Sequence, residues 1–232
     1  MSLRVTRQAA PFRWRRSDRW WEDAFLRVLG RKLSLTAEEI EKVAGRAGEF
    51  FERSRESAED PPGQLLLLLA CSVLAADVVL RGAESERVRA AIGGALVEPG
   101  AGVARSMVRL SLAWPSWRGR RDPLVVLRRS TRARVKDTYG SFFDFGEEIH
   151  SERFVSIVER CGLLEFFTEH GRPELTALFC AWDAEWTGAL EEDRHGVRFD
   201  RPTTLLQDGV PCRFEFTRVA SDGPSGRRNG AR

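Results

Sequence analysis

Apolar residues recur along the first half of the chain at the three-to-four-residue spacing of amphipathic helices. Ser17-Asp18 reads as a cap for a first helix whose stripe carries Trp20, Trp21, Phe25, Leu26 and Leu29. Thr36-Ala37-Glu38-Glu39 is a capping box, in which hydroxyl and carboxylate satisfy opposite orphan amides, and Ile40, Val43, Ala47, Phe50 and Phe51 form the apolar face behind it. Asp60-Pro61-Pro62-Gly63 closes that unit. The apolar run from Leu65 to Leu80 is interrupted by Ser72 and Asp77 and falls short of the ~20 residues that cross a bilayer, so it predicts a buried helix from about Gly63 to Arg81. Two more helices are expected, from about Ser85 to Leu96 and from about Gly102 to Trp114, separated by a break at Pro99-Gly100. Asp122-Pro123 opens another, with Leu124, Val125, Leu127 and Val135 on its apolar side. Arg128, Arg129, Arg132, Arg134 and Lys136 make the other side a solvated face.

Past Gly140 the pattern changes to aromatic and β-branched residues. Phe143, Phe145, Phe154, Val155, Ile157 and Val158 predict two extended segments. Leu163 to Glu169 reads as a short helix stopped by Gly171, and Pro173 to about Cys180 as another that starts with proline in its first turn. Strict alternation marks two strands, Val197 to Arg201 and Cys212 to Val219, joined by a turn at Gln207 to Pro211. Cys212, Phe214 and Phe216 share the inward face of the second strand. The expected fold class is therefore α+β, a helical layer packed on a small antiparallel sheet formed mainly by the C-terminal part. The organisation read from the chain is a mobile basic arm at 1–17, one domain at 18–220 and a disordered tail at 221–232. That domain divides into a helical front at 18–139 and a sheet-containing part at 140–220.

The 232-residue length and 42% hydrophobic content suffice for a sizeable core. The charge balance of 37 basic to 34 acidic residues argues against a general nucleic-acid face, because the excess gathers in the termini. Residues 1–19 hold six arginines and no apolar segment long enough for a secretory signal. Four cysteines at irregular spacing point to reduced thiols in a cytoplasm, with neither a disulfide framework nor a membrane span expected. A homodimer is compatible with this composition.

Chemistry gathers near the end of the chain, where cysteines, a carboxylate, hydroxyls and an arginine lie among aromatics, as in a small, mostly apolar ligand site. Cys180 is a candidate nucleophile, and Asp183 shares its helical face if the helix continues. His170, before Gly171 at a helix end, is a candidate general acid as well as a plain helix-end residue. Arg201 is suited to hold a ligand carboxylate through its planar fork. Thr203 and Thr204 point to opposite faces, Thr204 being preferred for the pocket, and Trp182 or Trp186 offers a flat surface for a heterocycle. Cys161 and Cys212 fill core volume or line the site. Together with Cys180 and Asp183 they form an acceptable tetrahedral zinc set, but the absence of C-x-x-C or H-x-x-x-H pairs argues for no metal and no other cofactor. There is no glycine-rich phosphate loop, no G-x-S-x-G elbow and no H-E-x-x-H pair.

From Val158 to Phe216 the chain resembles the L-2-amino-thiazoline-4-carboxylic acid hydrolase family. The likeness rests on Val158-Glu-Arg-Cys161, Gly171-Arg-Pro-Glu-Leu175, Phe179-Cys-Ala-Trp-Asp183, Arg201-Pro-Thr-Thr-Leu205 and Gly209-Val-Pro-Cys-Arg-Phe214. It departs at Pro202, where threonine is common after the arginine, and at Arg213, where an acidic residue commonly follows the last cysteine. The resemblance implies hydrolysis of a small sulfur- and nitrogen-containing ring at its C=N carbon, on a carboxylate-bearing substrate. The same surroundings would serve ring closure in natural-product biosynthesis. A non-catalytic binding or scaffold protein using the same pocket is the alternative.

Overall fold

Asp60, expected only to end a helical unit, is the hinge pin of the helical layer. The computed structural model describes residues 20–81, 85–117 and 122–219; the arm, the tail and the Ser17-Asp18 cap lie outside the described residues. The first helices are α1 (Trp20–Leu33) and α2 (Ala37–Ser54). Helix α2 starts at the expected capping box, with Thr36 Oγ1 accepting from the Glu39 amide at 3.3 Å and the Glu39 carboxylate accepting from the Thr36 amide at 2.8 Å. Asp60 then caps α3 (Pro61–Val79), its Oδ1 accepting from the Gly63 amide at 2.9 Å with Pro61 in the first turn, where a missing N–H costs nothing. Its other oxygen accepts from the Ser141 amide at 2.8 Å. Gly140 adopts a φ of +54°, and a Cβ there would lie 2.2 Å from the Asp60 carboxylate. Only glycine lets the chain turn this closely past the cap.

Helix α3 is apolar on all sides and long enough to cross a bilayer by length and composition, yet 78% of its apolar window is buried in protein. It is the centre of a core that takes Phe25 and Leu29 from α1, Val43 and Phe51 from α2, and Ile92 from α4 (Ser85–Trp117). Asp77, the one carboxylate buried in it among the described residues, receives hydrogen bonds from Arg172 at 2.7 Å and Arg81 at 2.9 Å. Helix α4 corrects one expectation, because it runs unbroken through Pro99-Gly100 instead of dividing there. The glycine serves packing: a Cβ at Gly100 would meet the Trp21 ring at 2.5 Å, so the small residue lets α1 close against α4.

Helix α5 (Pro123–Arg134), capped by Asp122, leads through a π-helical turn at Val135–Tyr139 into the sheet. The strands are β1 (Phe143–Ile149) and β2 (Arg153–Cys161), followed by α6 (Gly162–Glu169) and α7 (Thr176–Thr187). Helix α7 extends seven residues past the expected end at Cys180. A short α8 (Glu192–His195), β3 (Val197–Asp200), a short α9 (Leu205–Asp208) and β4 (Cys212–Arg218) complete the described chain. All neighbours are antiparallel in the order β1-β2-β4-β3. The architecture is α+β, as the patterning predicted.

Leu124 and Leu127 of α5 join Phe154, Val158, Cys212, Phe214 and Phe216 in a second core on one face of the sheet. Phe143 and Cys161 pack against both cores, so the seam between helical layer and sheet passes through them. The arginine row of α5 is not simply solvated: Arg128 and Arg132 both bind the Glu147 carboxylate on β1, and Arg134 lies over the Trp186 ring at 4.2 Å.

Replacing Asp60 removes a cap and the bridge to Ser141 together. Asp60→Ala should lower unfolding stability by ~1–3 kcal/mol in urea titration, whereas loss within experimental error would show that the cap contributes nothing beyond local order.

Candidate active site

Helix α7 presents Thr176, Cys180 and Asp183 along one stripe, four and three residues apart, and this stripe faces the seam. Opposite it, the inward face of β2 supplies Ser156, Val158 and, at its end, Cys161, while β4 supplies Cys212, Phe214 and Phe216. Arg201 enters directly after β3, Tyr139 from the π-helical turn and Arg134 from the end of α5. These groups surround a cavity of about 80 Å³. Its wall is mostly apolar.

Arg201 organises the polar side. Its Nη1 lies 3.6 Å from Asp183 Oδ2, its Nη2 lies 3.6 Å from Cys212 Sγ and 3.8 Å from Cys180 Sγ, and its Cζ stacks 4.5 Å over the Phe214 ring. The other oxygen of Asp183 accepts from the Tyr139 hydroxyl at 3.3 Å and from the Trp186 indole at 3.4 Å. Both charged side chains are about one-fifth exposed, 18% for Arg201 and 22% for Asp183. Two buried polar atoms of the lining, Arg201 Nε and Thr176 Oγ1, have no hydrogen-bond partner in the protein. Orphans of this kind are rare in folded proteins and mark a place prepared for a polar ligand or water.

Burial raises Asp183 above the usual carboxylate range, with Arg201, the Trp186 and Tyr139 donors and Arg134 pulling it back. The Cys180 thiol is also raised, first by burial and then by the Asp183 charge, against the lowering effect of Arg201. Cys161 is pushed up to about 12 by burial, although amides at the start of α6 stabilise its thiolate. For Tyr139, burial and the Asp183 charge keep the phenol protonated. Arg201 is held charged because Asp183 and the two sulfurs outweigh its desolvation. The resting site thus favours the neutral thiols of Cys180 and Cys161 beside a carboxylate able to accept a proton.

Seven residues picked from sequence line the cavity: Cys161, Cys180, Trp182, Asp183, Trp186, Arg201 and Cys212. Three do not. His170 caps α6, with Nδ1 2.8 Å from the Phe166 carbonyl oxygen and its ring against Phe166 and Phe50. Thr203 donates to the Pro211 carbonyl at 2.7 Å, and Thr204 caps α9 by accepting from the Gln207 amide at 3.2 Å. These threonines shape the turn that delivers Arg201 and Cys212. Five polar lining residues escaped sequence reasoning: Thr131, Arg134, Tyr139, Ser156 and Thr176. Tyr139 is the chain's sole tyrosine, and Thr176 stands one helical turn before Cys180, so both carried a readable signal.

The family model for L-2-amino-thiazoline-4-carboxylic acid hydrolase matches residues 69–216. The chain belongs to that family. The match begins within α3 and ends within β4, so it covers both walls of the cavity and reaches far upstream of the resemblance carried by Val158 to Phe216. No curated protein and no solved structure matches the chain. Neither departure from the family pattern lines the cavity: Pro202 is exposed, and Arg213 pairs with Glu148 at 2.7 Å and Glu215 at 3.0 Å. Among the described residues no three His, Cys, Asp or Glu side chains are grouped to hold a metal ion.

The opposed effects of Arg201 and Asp183 on Cys180 give a signed prediction. Arg201→Gln should move the pH midpoint for alkylation of Cys180 upward, and Asp183→Asn should move it downward, in mass-resolved labelling of the native protein. Shifts in the same direction would contradict the arrangement.

Proposed function

We propose that this hydrolase-family protein opens a small, carboxylate-bearing nitrogen heterocycle by attack at its C=N carbon. The observation that carries this reading is the Arg201 guanidinium, which joins the Asp183 carboxylate to the sulfurs of Cys180 and Cys212 inside a small apolar cavity. Such a site can hold a flat ring against Trp182 or Trp186 while bringing a nucleophile and a proton carrier to the same atom.

A 2-amino-thiazoline offers both a C=N carbon for attack and a ring sulfur that can leave. The Cys180 thiol transfers its proton to Asp183, and its sulfur adds to the C=N carbon. The ring carbon–sulfur bond then breaks, and the departing sulfur takes the proton from Asp183, leaving an isothiourea on Cys180. Water adds to the same carbon, Cys180 leaves as a thiol, and the product is a urea bearing a free thiol. Arg201 stabilises the thiolate and the charge that gathers on the leaving sulfur. Tyr139 and Trp186 hold Asp183 in orientation, and the Thr176 hydroxyl is a donor or acceptor for the ring substituents. Cys212 and Cys161 complete the wall. His170, Thr203 and Thr204 take no part in this scheme, since each is engaged away from the cavity.

The raised thiol of Cys180 favours a second route, in which Asp183 activates water directly and Cys180 only lines the pocket. The same groups run in reverse would close a ring, as a biosynthetic cyclase does. Four free cysteines fit a reducing cytoplasm as the place of action.

L-2-Amino-thiazoline-4-carboxylate should release a free thiol when incubated with the protein, and no thiol release would overturn the hydrolase reading in favour of a binding protein. Cys180→Ala should keep cooperative unfolding but lower turnover at least ~100-fold; near-native turnover would assign the attack to water.

A further inference from the structure

Among the described residues of the cavity lining the formal charges do not balance. Arg134 and Arg201 are cations, Asp183 is the sole carboxylate, and every other lining residue is apolar, hydroxyl or thiol. Arg201 is already committed. One of its terminal nitrogens faces Asp183, the other faces two sulfurs, and its face lies on Phe214, so its end-on fork is engaged within the protein and only the buried Nε is left without a partner.

Arg134 has no such commitments among the described residues. Its guanidinium lies over Trp186 at 4.2 Å, and Trp186 in turn lies nearly parallel to Phe214 with ring centres 6.2 Å apart. Two cations therefore sit on two stacked rings of one wall. Residues two apart on a helix point in nearly opposite directions, which is why Arg128 and Arg132 reach Glu147 while Arg134 turns to the cavity. No ion pair holds it among the described residues: its charge acts on Asp183 only from farther off, while Arg201 makes the direct pair at 3.6 Å. A partly desolvated cation held on an aromatic face needs an anion.

We infer that Arg134, stacked on Trp186 near the C-terminal end of α7, is the anchor for the substrate carboxylate, leaving Arg201 to serve the reacting atoms. This assignment rests on the ring-opening reading for the identity of the acid. One net positive charge in the lining matches one carboxylate, and the stacked geometry places the bound acid beside Trp186 and within reach of the Asp183–Arg201 pair. The specificity that follows is for a ring carrying a single carboxylate.

The test measures binding by calorimetry and turnover by thiol release, using L-2-amino-thiazoline-4-carboxylate and its carboxamide. Arg134→Gln should raise Kd and KM for the acid at least ~30-fold, with a much smaller effect on kcat and a change of under ~3-fold for the carboxamide. Arg134→Lys should recover part of the loss, since it restores charge without the fork. Unchanged thermal unfolding of Arg134→Gln will separate lost binding from lost structure. Equal losses for acid and carboxamide, or acid binding that survives Arg134→Gln but not Arg201→Lys, would overturn the assignment. Binding of the acid by the native protein that depends on Arg134 without ring opening would uphold the anchor and remove the hydrolase reading. A native protein that binds neither compound would remove both.

Discussion

A carboxylate and a guanidinium, Asp183 and Arg201, meet at 3.6 Å between a helix and a sheet edge, and the arrangement of the site depends on that pair. Neither charge would be stable alone where it sits. Asp183 is raised by burial and restrained by its cation and two donors, and Arg201 keeps its charge through the carboxylate and two sulfurs. Breaking such a pair leaves an uncompensated charge, so α7, the segment after β3 and the π-helical turn are held in register by one electrostatic requirement. The aromatic wall around the pair lowers the local dielectric and makes the requirement stronger.

The seam location follows from the two cores. Helix α3, apolar on every side, gathers the helical layer, while Phe154, Phe214 and Phe216 gather α5 against the sheet. Residues that touch both, Phe143 and Cys161, also line the cavity. A pocket at such a junction can bring side chains from five or more separate segments to one ligand. It also explains why the family match spans both layers and why the two departures at Pro202 and Arg213, which lie outside the lining, leave the inner surface intact.

Much of this was legible in the chain before its structure. Strict alternation in Cys212 to Arg218 announced an inward face, and the capping box at Thr36 to Glu39 marked α2 to the residue. Legibility failed where a residue's role depends on a distant partner. Pro99-Gly100 resembles a helix break until the Trp21 ring is seen against Gly100, and Asp60 resembles a terminator until its second oxygen is seen at Ser141. Thr204 looked suited to a pocket because a strand was extended through it, but a local helix claimed its hydroxyl as a cap. Arg134 was hidden in a row of like residues, and only its angular position around α5 distinguishes it from neighbours bound to Glu147. Local hydrogen-bonding chemistry is written in short motifs, whereas a buried charge pair is written across the fold.

The central claim is that Asp183 and Arg201 act as a single coupled unit. A double-mutant cycle on unfolding stability, with Asp183→Asn, Arg201→Gln and the combined variant, measures that coupling directly. The account predicts that the double variant loses less stability than the sum of the single losses, with a coupling of at least ~1 kcal/mol. Single losses that add within ~0.3 kcal/mol would contradict it.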